Sequence, residues 1–239
     1  MNKFWNFKEV KNMDEGGNES TENVLFFYGV IAEESWYDDE ITPRMFKSEL
    51  EAHPGDLTVW INSPGGDCFA AAEIYTALKE HKGKITVRID AIAASAASVI
   101  AMAGDIVEMS PAAMLMIHNP SMLLYGEASE LEKGIEFLNE VKESIMNAYQ
   151  IKTGLSRSKI SHLMNSETWM NALSAHDMGF CDRVLYTDGE DKKTSDSMVF
   201  DKSVMVTNTI AAMRKKLKPI PKPDGVDIAQ FETRLNLLK

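Results

Sequence analysis

The sequence Ala91-Ile-Ala-Ala-Ser-Ala-Ala-Ser98 joins a strand-like segment to a short helical one. The run 84–93 is rich in β-branched residues and predicts a strand, whereas the small and apolar residues 96–103 predict a buried helix that ends at Gly104. Ser95 would then display its hydroxyl at a helix start, beside backbone N–H groups that have no partner within the helix. A nucleophile elbow is built in this way, although its Gly-x-Ser-x-Gly form is absent here. Taken alone, the stretch is better explained by an Ala/Ser-rich helix packed tightly in a core.

Two flanking stretches change this interpretation. Upstream, Leu57-Thr-Val-Trp-Ile-Asn-Ser-Pro-Gly-Gly66 predicts a strand that runs into a Pro-Gly-Gly turn. Downstream, Met114-Leu-Met-Ile-His-Asn-Pro120 predicts a second apolar strand with His118 at its end. His118 alone would be read as a polar residue at a strand end, but Ser95 and the flanking motif accompany it.

These stretches together resemble the proteolytic subunit of the Clp protease and its viral relatives. The matching features, in chain order, are Ile-Asn-Ser-Pro-Gly-Gly, Ala-Ala-Ser, a glycine nine residues after that serine, and Met-Ile-His-Asn-Pro. The resemblance covers residues 23–186. It implies an α/β fold of the ClpP/crotonase type, which is a spiral of βαβ units with a long handle helix.

The order of elements agrees with parallel βαβ units joined by right-handed crossovers. Helices are predicted from Pro43, at 67–80 with Asp67 as N-cap, at 127–151, after Ser156, and at 172–178. Strands are predicted at 24–31, 57–62, 84–93, 106–109, 113–117 and 181–186. The chain divides into a flexible arm over 1–22, a protease domain over 23–187, and a polar linker with a helical tail over 188–239. Phe4, Trp5 and Phe7 in the arm are predicted to dock onto a neighbour or to lie on the surface.

Acyl transfer needs a nucleophile, a base that can accept its proton, and a group that orients the base. Ser95 is the predicted nucleophile and His118 its general base, since an imidazole titrates near neutral pH. Ser98, one helical turn further on, is the rival nucleophile. We discount it because a serine inside a helix more often donates its hydroxyl to a preceding carbonyl.

The resemblance also implies the rest of the site. Aligning Trp169-Met-Asn-Ala172 with the family's segment places Glu167 where the third triad member is usually aspartate. Asp177 and Asp182 are competing candidates, and a structural role in a turn is the more common one for Asp182. The backbone N–H groups of Gly66 and Ala96 are implied as the oxyanion hole.

Composition limits the other possibilities. The 239 residues, 44% of them hydrophobic, can bury a substantial core, and a net charge of −11 argues against nucleic acid or an anionic membrane as partner. No apolar run approaches the ~20 residues that span a bilayer. Cys68 and Cys181 have no metal-ligand company and suit a reducing cytoplasm, so neither a metal nor a cofactor is expected.

The resemblance implies a homo-oligomeric ring, heptameric or tetradecameric, with polypeptide substrates. The Phe-Trp-Asn-Phe opening, the Trp36-Tyr-Asp-Asp-Glu stretch and the long tail are more similar to head-maturation proteases of tailed phages than to the housekeeping enzyme fed by an AAA+ unfoldase. Capsid or scaffold proteins, cleaved in the host cytoplasm or prohead, are the expected substrates. The housekeeping subunit, a crotonase-like acyl-CoA enzyme and a catalytically silent shell protein remain open. A signal peptide peptidase is disfavoured, because that chemistry pairs serine with lysine in a membrane.

Overall fold

The computed structural model describes residues 4–13, 19–31 and 43–187. The predicted linker and helical tail over 188–239, and the segment that begins at Trp36, lie outside the described residues.

Strands and helices alternate along the described chain. The strands are β1 (Trp5–Met13), β2 (Glu19–Ile31), β3 (Leu57–Gly66), β4 (Ile85–Ala94), β5 (Ile106–Met109), β6 (Met114–Ile117), β7 (Thr168–Asn171) and β8 (Arg183–Val184). The helices are α1 (Pro43–Glu51), α2 (Cys68–Glu80), α3 (Ala96–Ala101), α4 (Ala128–Thr153), α5 (Arg157–Asn165) and α6 (Ala172–Asp177). This is the mixed α/β architecture that the sequence predicts, with α4 as its long helix.

The sheet branches at β4. The strands β2, β3, β4, β5 and β8 run parallel in that order, and β1 adds an antiparallel edge to β2. The first half of β4 pairs with β5, but its last residues pair with β6, ending at Ala94 opposite Met116. Strand β6 pairs in turn with the antiparallel strand β7. The branch therefore sets the end of β4, just before Ser95, beside the end of β6, just before His118.

Buried apolar residues fill the space between the sheet and the helices. Strand β3 buries Val59 and Ile61 completely, and β4 does the same with Val87 and Ile89. Fully buried Ile74 from α2 belongs to the same hydrophobic cluster. This core holds β3, β4 and α2 in fixed positions, and Gly66 and Ser95 lie at the ends of β3 and β4.

The N-terminal region differs from its prediction as a flexible arm. Residues Trp5–Met13 form a strand, β2 begins at Glu19, and the Trp5 side chain is buried in its own chain. Its indole lies 5.5 Å from the Phe46 ring, edge to face, and its Nε1 donates to Glu49 Oε2 at 2.8 Å. The polar composition suggested an arm, whereas the aromatic contact with α1 stabilises a strand.

Other boundaries differ more modestly. Helix α3 ends at Ala101 instead of continuing to 103, and the last strand is two residues long. Strand β7 was not predicted from the sequence. Helix α4 begins with a capping box between Glu127 and Glu130, also not predicted, and ends at Gly154, whose φ of 69° is the left-handed conformation common after a helix.

Among the residues that the structure describes, none of the helices has the length and apolar character required to cross a membrane.

Candidate functional site

Ser95 is held in a strained backbone conformation between β4 and α3. Its φ of 55° and ψ of −124° are unusual for a residue with a side chain. Its N–H donates to Met116 O at 3.0 Å, and its carbonyl accepts from Ser98 N at 2.9 Å. Such strain, of about 1–3 kcal/mol, persists only where the surrounding structure enforces it. The surroundings here are the β4–β6 pairing and the first turn of α3.

The Pro-Gly-Gly turn packs directly against this residue. A Cβ added to Gly65 would lie 2.5 Å from Ala94 O, 2.7 Å from Ser95 Cβ and 2.9 Å from Ala96 N. A Cβ on Gly66 would overlap the backbone of Ile31. The two glycines thus allow the end of β3 to approach the β4–α3 junction more closely than any other residue would. The candidate oxyanion donors, the N–H groups of Gly66 and Ala96, belong to these two adjoining segments.

His118 meets Ser95 across the branch of the sheet. Its Nε2 lies 2.7 Å from Ser95 Oγ, within hydrogen-bond distance. The sequence predicted the same two residues as nucleophile and base. Their side chains come from different elements 23 positions apart, and the β4–β6 pairing unites them.

His118 and Glu167 flank the last pair of the β6–β7 ladder. That pair is Ile117 with Thr168, so His118 directly follows β6 and Glu167 directly precedes β7. Glu167 lies in the turn between α5 and β7, where its N–H donates to Met164 O at 3.1 Å. Glu167 has a φ of 46°, which makes it, like Ser95, one of the few described non-glycine residues in the left-handed region.

The competing acids lie elsewhere. Asp182 Oδ2 accepts from Val107 N and from Lys152 Nζ, each at 2.6 Å, and so ties β5 to the end of α4. This is the structural role that the sequence favoured for it. Asp177 is exposed at the end of α6, with a carboxylate oxygen 4.0 Å from His176 Nδ1.

Ser98 is buried and makes its hydrogen bonds with groups other than His118. Its hydroxyl donates to Ser95 O at 2.6 Å and also contacts Tyr149 Oη at 2.8 Å. The bond to a preceding carbonyl is the one that the sequence predicts for a serine inside a helix. The contact with Tyr149 of α4 joins residues 51 positions apart and has no local signal in the sequence.

A small cavity adjoins the Ser95–His118 pair. It has a volume of about 10 Å³, roughly that of one water, and Cys68, Val99, Ile145 and Tyr149 contribute to its lining. Cys68 is only half-buried and faces this cavity. Burial, followed by the nearby Asp67 carboxylate, raises the pKa of the Cys68 thiol, so at neutral pH it presents an uncharged surface.

Larger grooves also occur, and one of them shares Cys68, Val99 and Ile145 with the small cavity. One of about 600 Å³ runs along the starts of β3, β4 and β5 and has charged residues in its lining, among them Lys84 and Glu108. Another of about 450 Å³ lies between α2 and α4, where Phe69 and Phe137 contribute to it. Within the described parts of the chain, no group of histidine, cysteine, aspartate and glutamate side chains could hold a metal ion.

Comparisons with known proteins show the family to which the chain belongs. The family model described as Clp protease matches residues 17–188, which is most of the described chain. The chain belongs to the Clp protease family. The match includes every element from β3 to β8, and with them Ser95, His118 and Glu167.

Individual members of the Clp protease family give the degree of similarity. ATP-dependent Clp protease proteolytic subunit 1 of Chlamydia abortus is 31% identical over 168 residues, 68% of this chain and 86% of that protein. The ATP-dependent Clp protease proteolytic subunit of Bacteroides fragilis is 29% identical over 154 residues, 62% of this chain and 74% of that protein. Membership of this family makes the chain a ClpP-like peptidase.

Proposed function

We propose that the protein is a serine endopeptidase with Ser95 as nucleophile, His118 as general base and Glu167 as the acid that orients His118. The observation that carries this proposal is the 2.7 Å bond between Ser95 Oγ and His118 Nε2, made by a serine with strained backbone. A structural serine has no need of an imidazole partner or of a left-handed conformation. Both features are expected of an activated nucleophile.

Peptide hydrolysis then follows in two steps. Ser95 Oγ attacks the scissile carbonyl carbon while its proton passes to His118 Nε2, and the carbonyl oxygen becomes an oxyanion. His118 gives this proton to the leaving amine, the C–N bond breaks, and the acyl group stays on Ser95. A water molecule, deprotonated by His118, then attacks the ester, and Ser95 recovers its proton from the imidazolium. Atoms and charges balance without a metal or a cofactor.

Glu167 would accept a hydrogen bond from the other ring nitrogen of His118. The β6–β7 pairing supports this role, because His118 and Glu167 flank its last pair, Ile117 with Thr168. The close approach of Gly65 to Ala96 N supports a shared oxyanion hole in which Gly66 N–H and Ala96 N–H would donate.

A homo-oligomer is the proposed working state. The isolated chain exposes large apolar side chains before and along α4, including Leu123 at 97%, Tyr125 at 102% and Ile135 at 61%. Apolar surface of this extent is typical of an interface. A ring of seven, or two stacked rings, would cover it and enclose the sites.

For substrates we infer the capsid or scaffold proteins of a tailed phage, on the strength of the opening residues and the long tail. The observation that favours a second role, that of a housekeeping Clp subunit, is that the relatives are named as ATP-dependent Clp protease subunits. In that second role the protein would degrade polypeptides delivered by an AAA+ unfoldase.

Hydrolysis of a fluorogenic peptide by the purified assembly tests the site. Ser95→Ala should abolish turnover and His118→Ala nearly so, whereas Glu167→Ala should retain more of the rate, because the base is still present without its orienting acid. Equal rates for Glu167→Ala and the wild type would remove Glu167 from the triad. An active Ser95→Ala variant would overturn the proposed mechanism.

The substrate is tested separately, with folded proteins. A head-maturation protease should cleave its capsid or scaffold substrate at defined positions without ATP. Strong stimulation by an AAA+ partner and ATP would favour the housekeeping role. A folded assembly that cleaves neither peptides nor proteins would favour a silent shell protein.

A further inference from the structure

The peptide plane between Ser95 and Ala96 is held by two hydrogen bonds that both come from Ser98. Both the backbone N–H and the hydroxyl of Ser98 donate to Ser95 O, at 2.9 and 2.6 Å. A carbonyl oxygen has two lone pairs, and a single residue supplies a donor to each of them here.

The direction of the next hydrogen bond follows from proton counting. Ser98 has one hydroxyl proton, and it points to Ser95 O because a carbonyl cannot donate. In the 2.8 Å contact between Ser98 Oγ and Tyr149 Oη, the proton therefore belongs to Tyr149. The bonds form a chain that runs from Tyr149 of α4 through Ser98 of α3 to the carbonyl of Ser95.

The side chains of this hydrogen-bond chain are buried in the interior of the protein. Ser98 is 0% exposed and Tyr149 is 1% exposed, so water cannot replace either partner. Burial raises the pKa of Tyr149 far above its ordinary value, and the phenol keeps its proton throughout any working pH range. Successive hydrogen bonds in such surroundings strengthen one another.

The orientation of the Ser95 carbonyl determines that of the Ala96 N–H. In a trans peptide the C=O and the following N–H lie in one plane and point in opposite directions. Holding Ser95 O on the Ser98 side therefore directs the Ala96 N–H to the opposite side, where the Gly65 backbone adjoins it. This N–H is one of the two donors of the oxyanion hole in the proposed function.

We propose that Ser98 and Tyr149 are positioning residues, whose hydrogen-bond chain fixes the Ser95–Ala96 peptide so that Ala96 N–H meets the oxyanion of the transition state. This inference rests on the proposed function. It adds two residues that contact neither the substrate nor the proton that passes between Ser95 and His118. If this donor is turned away from the oxyanion, the transition state is stabilised less, whereas binding of the substrate in the ground state is unchanged.

The test compares Ser98→Ala, Tyr149→Phe and the double variant. Ser98→Ala removes both side-chain bonds and should lower kcat by about tenfold or more, with KM within about twofold of the wild type. Affinity for a peptide boronate, which mimics the tetrahedral intermediate, should fall by the same factor as kcat. Tyr149→Phe leaves the Ser98 donor in place and should lower kcat by only about two- to threefold.

The double variant separates positioning from stability. Ser98→Ala alone leaves the buried Tyr149 hydroxyl without its partner, which lowers the Tm. Adding Tyr149→Phe removes that hydroxyl and should restore the Tm, but kcat should stay at the level of Ser98→Ala. A kcat that recovers together with the Tm would overturn the proposal and leave a merely structural role.

Two further readouts complete the test. The pKa values in the pH profile of kcat should not move in any variant, because the chain transfers no proton to substrate. Tyr75→Phe removes a hydroxyl on α2 that does not belong to the hydrogen-bond chain, and this variant should retain the wild-type kcat. If Ser98→Ala has the wild-type kcat and boronate affinity, the positioning role is refuted and the proposed function is untouched. If the wild type is inactive, the proposed function is overturned, and this inference with it.

Discussion

At the scale of single residues, the backbone of Gly65 packs so closely against residues 94–96 that no side chain fits there. Gly65 has a φ of 96°, and a Cβ there would lie within 3 Å of three atoms of residues 94–96. Gly55 has nearly the same φ, 94°, but a Cβ there would meet nothing within 4 Å. The two glycines therefore have nearly the same backbone φ angle but differ in the space around them.

Gly65→Ala should accordingly abolish peptide hydrolysis, because Ala94, Ser95 and Ala96 must move to admit the methyl group. Gly55→Ala carries only the backbone strain, about 1–3 kcal/mol, and should keep the wild-type rate per folded molecule. Unfolding in urea and turnover of a fluorogenic peptide measure both effects. Equal activity of the two folded variants would contradict the role given to Gly65.

The candidate site could be predicted from the sequence where its residues lie in short motifs. Ser95 and His118 were found because each ends an apolar strand within a recognisable pattern, and the structure places them within hydrogen-bond distance. Cys68 and Tyr149 could not be found in this way. Each lies on one face of a helix, and only packing against α3 brings them to the same cavity.

At the scale of secondary-structure elements, the start of α2 fixes the Pro-Gly-Gly turn. Asp67 follows Gly66 directly, and its Oδ1 accepts from Phe69 N and Ala70 N, each at 2.8 Å. Its own N–H donates to Ile31 O at 2.9 Å. One residue thus caps the helix and ties the turn to the end of β2.

Asp67→Ala should lower the free energy of unfolding by about 1 kcal/mol, which is typical for the loss of an N-cap acceptor. Asp67→Asn keeps an acceptor oxygen at the same position and should stay within a few tenths of a kcal/mol of the wild type. Urea denaturation of both variants measures the difference. Equal losses would mean that the negative charge, and not the hydrogen bonds, stabilises this helix start.

Elements with a strong periodic pattern were predictable, and those held by distant contacts were not. Helices α2 and α4 were predicted nearly at their observed boundaries. Strand β1 is polar and paired on one side, and its stability depends on Trp5 packing against α1. Strand β7 has four residues, and its partner β6 lies some fifty positions earlier, so no local signal distinguishes it from a turn.

At the scale of the whole molecule, a charged cluster joins three strands of the sheet. The Glu108 side chain is 5% exposed; Arg88 Nε donates to its Oε2 at 2.7 Å, and Arg183 NH2 lies 2.5 Å from its Oε1. Arg88 also lies over the Trp60 ring, 5.5 Å from its centroid. One carboxylate therefore connects β4, β5 and β8 by pairing with two guanidinium groups.

Glu108→Gln should destabilise the protein by about 2 kcal/mol, because a buried charged acceptor is lost while both guanidinium groups remain. The control is Glu80→Gln, which breaks the exposed pair with Lys47, whose side chains are 51% and 59% exposed. Its effect on the free energy of unfolding should be much smaller than that of Glu108→Gln, because a solvent-exposed ion pair contributes little to stability. Thermal and urea denaturation compare the two, and similar losses would contradict the special role of Glu108.

Covalent labelling of the intact assembly tests the activated serine most directly. The protein is treated with an active-serine fluorophosphonate, and the adduct is located by peptide mass. The expected result is a single adduct on Ser95 that disappears in Ser95→Ala and in His118→Ala. An adduct on Ser98, or a folded assembly that takes up no reagent at all, would contradict the assignment of Ser95 as an activated nucleophile.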